Sequence, residues 1–348
     1  MKLTIETFTV HKKFALQISR GTTAQNTNIW LRIREEGIEG WGEASPFSID
    51  KSKPNTDNLL TQLKQVATEL EPFHPLQRQE IGEELKELNL ASSLQAAIDM
   101  ALYDWLGKKA GLPLWQIWGL NRDRIVPISV TIGISSREDA VKRLKDWQDT
   151  IDVKMIKLKL GNPAGIAADK AMLEAIRASA PTTRLTVDAN GGWVYDDAVE
   201  MSEWLAQQDV EYIEQPLSVA DDRKLKALSD CSPLPIFVDE SCFTSNDIPR
   251  LADSVAGVNL KIMKTGGLTE AIRAIQIAKA CKLKIMFGCY SDSSLANTAM
   301  AHLAPWADYL DLDSHLNLLD DPFVGATITA GRLLPNHQPG LGVNRAKR

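Results

Sequence analysis

Residues 153–160 read VKMIKLKL, an apolar run typical of a buried strand, yet it carries two lysines. Side chains alternate between the two faces of a strand, so Lys157 and Lys159 share one face while the aliphatic residues share the other. Two ammonium groups on one buried face are costly, because burial and like-charge repulsion both disfavour the charged form. The simplest alternative is an edge strand whose lysines face water. The rest of the chain favours the other interpretation, in which the two lysines are buried and have a function.

The run is one of eight similar β-rich segments, and helix-sized segments such as AADKAMLEAIRASA separate them. In order, the eight are VPISVTIG, VKMIKLKL, RLTVDAN, VEYIEQP, LPIFVDES, GVNLKIMK, LKIMFGC and DYLDLDS. Eight β-α repeats predict an α/β fold of the (β/α)8 barrel type, which typically takes about 250 residues. Because these repeats occupy only residues 126–320, we expect short loops and a covering for the site from elsewhere in the chain.

The start of the chain predicts a separate α+β unit. Alternating patterns in KLTIETFTV, NIWLRIREEG and EGWGEAS predict an antiparallel meander of about three strands. Helical patterns follow over residues 56–70 and 77–110, and Gly111 supplies a stop. We therefore expect an α+β capping domain over 1–125 that carries the specificity loops, a barrel domain over 126–320, and a segment over 321–348 that returns to the capping domain.

Composition narrows the class of partner. The 348 residues are 44% hydrophobic and carry a net charge of -6 with both signs scattered, which argues against nucleic acid or a membrane surface and favours a small molecule. The start, MKLTIETFTV, lacks the apolar core of a signal peptide, and four scattered cysteines fit a reducing compartment. We expect a cytoplasmic protein, and the sequence leaves a homo-oligomer open.

Charged residues close most of the predicted barrel strands, where catalytic groups of such barrels lie. Asp188, Glu214 and Asp239 end three consecutive strands. Three carboxylates without soft donors can converge on one Mg2+, although each alone could equally cap the following helix. Asn190 and Gln215, which follow two of them, could orient these ligands or simply bond their own loops.

Lysines occupy the ends of the second and sixth strands, on opposite sides of an eight-stranded barrel. Lys159 and Lys261 would then face each other across a metal-held substrate. A lysine acts as a base only when a fraction of it is neutral, and the like charge of Lys157 together with a divalent metal pushes in that direction. Mg2+ and a cation make the enediolate of a carboxylate accessible, so one base on each face would invert a carbon centre.

These residues resemble the enolase superfamily, in its muconate-lactonizing-enzyme-like subgroup. The matching motifs are KLK at 157–159, DAN at 188–190, EQP at 214–216, DES at 239–241 and NLKIMKTGG at 259–267. A lysine base beside Mg2+ is the arrangement of that superfamily. AIDMALYDWLGKKAGLPLWQIWG also looks like its capping-domain segment, and GWGEASP looks like its loop that closes over the substrate.

Within the subgroup, DLD at 311–313 resembles the DxD element of dipeptide epimerases of the L-Ala-D/L-Glu type, whose carboxylates hold the substrate's α-ammonium group. Period two places Asp311 and Asp313 on the same face, so both can reach one ammonium ion. The alternative is one solvated and one capping aspartate. The resemblance implies inversion of the α-carbon of the carboxyl-terminal residue of an L,L-dipeptide, with Lys159 and Lys261 as the two bases.

Specificity is expected to come from the loops. Gln17 stands where epimerases acting on Ala-Glu look as if they use an arginine, so the second residue should be small or apolar unless Arg20 or Lys12 supplies a charge. Phe14 is expected in the same covering loop. Ser291 and Asp292, after the seventh strand, should border the pocket.

Four other functions compete. o-Succinylbenzoate synthase and muconate cycloisomerase would use the same metal trio and lysines, but their substrates have no ammonium group for the DLD pair. An N-acylamino-acid racemase would replace that ammonium with an acyl group. A non-catalytic binding barrel would have no need of both lysines and the carboxylate trio.

Overall fold

An antiparallel sheet of three strands opens the chain in the computed structural model, which describes residues 1–49 and 55–347. Residues 50–54 and 348 of the predicted domains lie outside the described residues. The elements are β1 (Lys2–Ile18), β2 (Gly21–Glu35), β3 (Ile38–Ala44), α1 (Thr56–Leu70), α2 (Arg78–Glu87), α3 (Ser92–Ala110) and α4 (Leu114–Ile117). The predicted meander and the helix over 56–70 are confirmed, and Gly111 ends α3 in the left-handed conformation with φ of 69°.

Strand β3 packs directly on helix α3, and two glycines make this possible. A Cβ added at Gly42 would lie 1.8 Å from the carbonyl oxygen of Ala97, and one at Gly40 would lie 2.1 Å from that of Ala101. The segment GWGEASP is therefore strand as far as Ala44, and only its end is loop. The expected closing loop is therefore wrong for Gly40 and Gly42, which lie in β3 and allow it to pack closely on α3.

Two boundaries differ from the sequence expectation. The covering loop expected around Phe14 and Gln17 is not a loop. Strand β1 continues to Ile18 beyond a register shift between His11 and Leu16, so both residues lie in a strand. The residues predicted to be helical over 77–110 form two helices, α2 and α3. Asn89, with φ of 48°, turns the chain between them.

Eight parallel strands follow, in the order β4 to β11 across one sheet, with a bridge from Ile128 to Leu310 at its closing seam. The strands are β4 (Ser129–Ile132), β5 (Met155–Lys159), β6 (Arg184–Asp188), β7 (Val210–Glu214), β8 (Ile236–Val238), β9 (Gly257–Lys261), β10 (Lys284–Gly288) and β11 (Tyr309–Asp311). The helices are α5 (Arg137–Thr150), α6 (Ile166–Ser179), α7 (Tyr195–Gln207), α8 (Leu225–Cys231), α9 (Ile248–Leu251), α10 (Ile262–Thr265), α11 (Leu268–Ala280) and α12 (Ser294–Ala301). The predicted barrel fold is confirmed; after β11 comes a short 3-10 turn, Ser314–Asn317, where a full repeat would place an eighth helix.

Strand β5 is no edge strand. It pairs with β4 on one side and β6 on the other, and all five of its residues are buried. The lysines of VKMIKLKL therefore point into the barrel.

The tail contacts both parts of the chain. It contains four short strands: β12 (Phe323–Val324), β13 (Thr327–Thr329), β14 (Arg332–Leu334) and β15 (Asn344–Arg345). The ring of Phe323 meets those of Phe8 and Trp30 edge-on, whereas the carbonyl of Gly331 accepts a hydrogen bond from Ile128 beside the barrel. The exact division into three segments stays a prediction.

None of the helices within residues 1–49 and 55–347 combines the length and apolar character that a membrane crossing requires.

Candidate active site

Five predicted site residues are the last residues of their strands, and a sixth comes directly after its strand. Lys159, Asp188, Glu214, Lys261 and Asp311 end β5, β6, β7, β9 and β11, and Asp239 follows β8. All six are buried. Because parallel strands present their carboxyl ends at one rim of the barrel, these charges converge there.

Lys157 occupies the centre of this cluster. Its Nζ lies 2.6 Å from Glu214 Oε2, 2.7 Å from Asp311 Oδ2 and 3.3 Å from Asp188 Oδ2. Burial opposes its charge, but the three carboxylates outweigh burial and raise the pKa of Lys157 well above its ordinary value. Lys157 is therefore a fixed cation that holds the carboxylates together.

The two candidate bases each pair with a different carboxylate. Lys159 Nζ lies 2.5 Å from Asp188 Oδ2, and Lys261 Nζ lies 2.8 Å from Asp239 Oδ2. The ammonium of Lys261 also lies over the ring of Tyr290, 4.4 Å from its centroid. Strands β5 and β9 are four positions apart in the eight-stranded sheet, so the two lysines project from opposite walls.

A further lysine was missed by sequence reasoning. Lys264, on the short helix α10, places Nζ 2.5 Å from Asp239 Oδ1 and 3.0 Å from the carbonyl oxygen of Asn259. The amide of Asn259 donates to Glu214 Oε1 at 2.8 Å. Asn259 could have been found, because it lies two residues before Lys261 and so shares its face of β9. The placement of Lys264 depends on where α10 turns, which the sequence pattern does not reveal.

The carboxylate trio suits a divalent cation in its chemistry. The side-chain positions differ from those of a filled metal site: within the described residues no three His, Cys, Asp or Glu side chains surround a common point. Asp188, Glu214 and Asp239 are instead each paired with a lysine. Burial, followed by repulsion from Asp188 and Asp239, raises the pKa of Glu214 to about 7.

Unpartnered oxygens beside the trio add to this fit. Asn190 Oδ1, Asn259 Oδ1 and Glu240 Oε2 are buried without a hydrogen-bond partner. Buried oxygens are rarely left unbonded, so this rim is built for a polar occupant. All-oxygen, negatively charged donors are what Mg2+ prefers, and the residues present fit that ion.

The two amide residues that follow the carboxylates hold the loops in place. Asn190 Nδ2 lies 3.2 Å from both Asp188 Oδ2 and Glu240 Oε1. Gln215 Oε1 accepts hydrogen bonds from the backbone of Asp239 at 2.9 Å and of Ser241 at 3.2 Å. Both residues have positive φ, 45° and 37°, so each chain turns sharply just past its carboxylate.

The DLD pair lies beside Thr131, at the end of β4. The hydroxyl of Thr131 donates to Asp311 Oδ1 at 3.1 Å, and its backbone N–H donates to Asp313 Oδ2 at 2.6 Å. Asp311 is also paired with Lys157, whereas Asp313 has no ion pair within 1–49 and 55–347. Burial, with added repulsion from Asp311, raises the pKa of Asp313 to about 6.

The capping sheet covers this rim through the β1–β2 hairpin. Arg20 Nη1 lies 2.7 Å from Glu240 Oε1 and donates to the carbonyl of Asn190 at 2.8 Å. Arg20 is therefore engaged by the barrel and is not free to replace the missing arginine at Gln17. Gln17 itself has an exposed side chain, and its carbonyl accepts a hydrogen bond from Ile134 at 2.9 Å.

Phe14 lines a cavity of about 380 Å3 beside the DLD pair. Its ring lies 3.8 Å from the guanidinium carbon of Arg143, and Asn317 binds both its backbone N–H and its C=O. Thr131 lines the same cavity, which therefore adjoins the carboxylate of Asp313.

Ser291 and Asp292 lie on the loop after β10. The carbonyl of Ser291 accepts a hydrogen bond from Asn28 of the capping sheet at 2.9 Å. Asp292 is buried; its Oδ2 accepts from the backbone of Tyr290 at 3.1 Å, and its Oδ1 has no hydrogen-bond partner. Asp292 thus presents an unsatisfied oxygen at the edge of the site.

Two families of known proteins match most of this sequence. A family described as "Enolase C-terminal domain-like" matches residues 139–347, and "Mandelate racemase / muconate lactonizing enzyme, N-terminal domain" matches residues 4–119. The chain belongs to the enolase superfamily. Among its relatives in that superfamily is the hydrophobic dipeptide epimerase of Flavobacteria bacterium strain MS024-2A, which is 42% identical over 345 residues, 98% of this chain and 97% of that protein.

Two further enolase-superfamily relatives match nearly the whole of this chain. The L-Ala-D/L-Glu epimerase of Bacteroides thetaiotaomicron is 30% identical over 347 residues, 99% of this chain and 88% of that protein. The dipeptide epimerase of Enterococcus faecalis V583, solved in complex with Mg and the dipeptide L-Leu-L-Tyr, superposes with a TM-score of 0.90 at 30% identity and 98% coverage of both chains. These relatives are epimerases, and this chain is an enzyme of the same class, the isomerases.

Proposed function

We propose that this enzyme is a Mg2+-dependent dipeptide epimerase that inverts the α-carbon of the carboxyl-terminal residue of L,L-dipeptides. One observation carries the proposal: Lys159 and Lys261 project from opposite walls of the barrel with three buried carboxylates between them. A substrate held between the two lysines offers one face of its α-carbon to each. The dipeptide epimerases among the relatives support the substrate class.

Mg2+ would be held by Asp188, Glu214 and Asp239, and when bound it neutralises negative charge that develops on the substrate carboxylate. Lys157 adds a permanent positive charge at the same end of the site, since it lies within 3.3 Å of two of these carboxylates. When the three carboxylates bind Mg2+ and the substrate enters, Lys159 and Lys261 would exchange their ion pairs with Asp188 and Asp239 for contacts with the substrate.

The reaction needs one proton to leave and one to arrive. One lysine, as the neutral amine, takes the α-proton; the C–H bond breaks and its electron pair moves into the substrate carboxylate as an enediolate. The other lysine, as the ammonium ion, donates its proton to the opposite face of the carbon. Each lysine takes the other role in the reverse direction, so both diastereomers are substrates.

Asp313, with Asp311, would bind the α-ammonium of the dipeptide. Asp311 already neutralises Lys157, so Asp313 contributes most of the free negative charge. A charged hydrogen bond to a buried carboxylate is among the stronger polar contacts in proteins. This contact favours dipeptides over N-acylated amino acids, which have no such cation, and over the substrates of o-succinylbenzoate synthase.

The capping residues 1–125 would select the second side chain. Gln17 is uncharged, and with Ile134 and Met172 it lines a groove next to the β1–β2 hairpin. Arg20 is paired with Glu240 and offers no counter-charge for an acidic side chain. We infer a preference for a small or hydrophobic second residue, as in the 42% identical relative.

The experiment is α-proton exchange in D2O, followed by mass spectrometry, across a mixed library of L,L-dipeptides with Mg2+. We expect uptake of one deuterium at the carboxyl-terminal residue for small and hydrophobic side chains, and little uptake for Ala-Glu. Absence of uptake with every dipeptide, in folded metal-loaded protein, would overturn the proposal. Uptake with N-acylamino acids alone would transfer the assignment to N-acyl racemisation.

A further inference from the structure

One of the two candidate bases lies over an aromatic ring. The Nζ of Lys261 is 4.4 Å from the centroid of the Tyr290 ring, in addition to its ion pair with Asp239 at 2.8 Å. Within residues 1–49 and 55–347 no ring lies in this way beside Lys159, the base on the opposite wall. The face of an aromatic ring attracts an ammonium ion, so this attraction acts on one side of the site only.

The capping domain holds the ring of Tyr290 in place. Phe47, which follows β3, stacks on this ring with centroids 4.4 Å apart and planes 11° apart. The backbone N–H of Tyr290 donates to Asp292 Oδ2 at 3.1 Å, whereas its hydroxyl is buried without a hydrogen-bond partner among the residues that the structure describes. Stacking on Phe47 therefore sets the position of the ring, and a hydrogen bond of the hydroxyl does not.

The second lysine paired with Asp239 is held differently. Lys264 Nζ lies 5.7 Å from the ring of Phe243, but it also lies within 3.0 Å of the Asp239 carboxylate and of three backbone carbonyl oxygens. Oxygen atoms therefore fix Lys264 without help from a ring. In the part of the chain that the structure describes, Lys261 has a single ion pair, with Asp239, and the ring is its further support.

The ion pair with Asp239 cannot persist while Lys261 transfers protons. As a base, Lys261 has to direct its nitrogen lone pair at the substrate α-carbon, and as an acid it has to direct an N–H bond there. The ring of Tyr290 can remain beside Nζ in both steps, because attraction to a ring face requires closeness to the ring and no particular N–H direction.

We propose that Tyr290, held by Phe47, is a positioning residue for Lys261 and therefore acts on one face of the substrate α-carbon only. This inference rests on the proposed function. The ring keeps Nζ in place once the ion pair with Asp239 is broken, so its loss slows the proton transfers of Lys261 and leaves those of Lys159 intact. Through Phe47, the capping domain helps to position a base in addition to selecting the side chain.

The test measures α-proton exchange in D2O in enzymes that keep one base. Lys159→Ala leaves Lys261 to exchange the proton of one diastereomer, and Lys261→Ala leaves Lys159 to exchange that of the other. Adding Tyr290→Leu should slow exchange by about tenfold in Lys159→Ala and leave it unchanged in Lys261→Ala. Tyr290→Phe keeps the ring and should restore exchange in Lys159→Ala.

Phe47→Leu removes the stacked partner of the ring. It should slow exchange by about threefold in Lys159→Ala, because the ring of Tyr290 loses its support, and should have no effect in Lys261→Ala. Phe73→Leu is the matched control, since it removes another half-buried ring from the capping domain, and it should slow neither enzyme.

A second measurement uses the enzyme with both bases. In Tyr290→Leu, proton transfer to and from Lys261 should become more strongly rate-limiting. The primary deuterium isotope effect on kcat/KM should therefore rise for the α-deuterated diastereomer that Lys261 deprotonates and fall for the other. Should Tyr290→Leu not fold, Phe47→Leu should shift the two isotope effects in the same directions.

The outcomes separate this inference from the proposed function. Equal slowing on both faces, unshifted isotope effects, or a Tyr290→Phe variant as slow as Tyr290→Leu would overturn the positioning role while leaving epimerisation in place. If the folded, Mg2+-loaded wild type neither epimerises nor exchanges the α-proton of any dipeptide, the proposed function fails and this inference fails with it.

Discussion

The ammonium of Lys157 lies 2.7 Å from the carboxylate of Asp311. This ion pair links the candidate metal ligands to the carboxylates proposed to bind the substrate's α-ammonium group. The same ammonium neutralises Glu214 at 2.6 Å. One buried cation therefore balances charges contributed by the fourth and the eighth strands of the barrel. Removing it exposes each of these carboxylates to the repulsion of the others.

Lys157→Met should destabilise the metal-free enzyme by about 3–5 kcal/mol, because buried carboxylates would lose their counter-charge. Mg2+ should then raise the melting temperature of this variant more than that of the wild type, since the ion replaces part of the missing charge. Thermal melts with EDTA and with Mg2+ measure both effects. Lys154→Met, at an exposed lysine, serves as the control; equal Mg2+ effects in all three proteins would contradict the shared carboxylate cluster.

Asp313→Asn should weaken kcat/KM for free dipeptides by about tenfold to a hundredfold, because a charged hydrogen bond is replaced by a neutral one. N-acetylated dipeptides, which have no ammonium, should lose much less. Steady-state kinetics on matched pairs gives the comparison. Equal losses for both substrates would remove Asp313 from ammonium binding.

Glu43 should make stability depend on pH. It comes from β3 and accepts hydrogen bonds from Ser293 and Ala296 at the start of α12. Burial, with repulsion from Asp292, raises the pKa of Glu43 to about 8. Its folded-state pKa exceeds the unfolded value, so its stabilisation is complete below about pH 4.5 and is lost as pH rises through about 8.

Urea unfolding at several pH values tests this dependence. The difference in unfolding free energy between wild type and Glu43→Gln should shrink by up to a few kcal/mol between pH 5 and pH 9. Glu69→Gln, at an exposed helical position, should show no such trend. A difference that is constant with pH would mean that Glu43 is ionised in the folded protein throughout.

Gly42→Ala should destabilise the capping domain by about 3 kcal/mol or more, because the new Cβ would meet the backbone of Ala97 at 1.8 Å. Gly82→Ala is the control: it lies within α2, nothing stands within 4 Å of its added Cβ, and alanine favours a helix by about 0.5–1 kcal/mol. In chemical unfolding, the free energy of unfolding should fall for Gly42→Ala and rise for Gly82→Ala. A neutral Gly42→Ala would mean that α3 moves away from β3 without cost.

Much of the barrel could be predicted, because a charge closes a short apolar run at most of its strands. Lys159, Asp188, Glu214 and Lys261 were placed on their strand ends by this pattern alone. The capping helix over 56–70 and the stop at Gly111 followed from periodicity and from the freedom of glycine to adopt positive φ.

The rest depends on tertiary contacts that no local pattern encodes. Lys157 was expected to act as a like charge on its neighbour, but its charge is set by Asp311, 154 residues away. The pairing of Arg20 with Glu240 likewise depends on how the β1–β2 hairpin lies over the barrel. The sequence predicts a loop for the end of β1, because a register shift between His11 and Leu16 interrupts the alternation on which strand prediction depends.

The most direct test of the two-base proposal follows both diastereomers of one dipeptide in D2O, with wild type, Lys159→Ala and Lys261→Ala. Wild type should interconvert them with uptake of one deuterium. Each variant should lose epimerisation by at least about a thousandfold, yet exchange the α-proton of one diastereomer, and the two variants should act on opposite diastereomers. Epimerisation that survives in either variant, or exchange of the same diastereomer by both, would contradict a base on each side of the substrate.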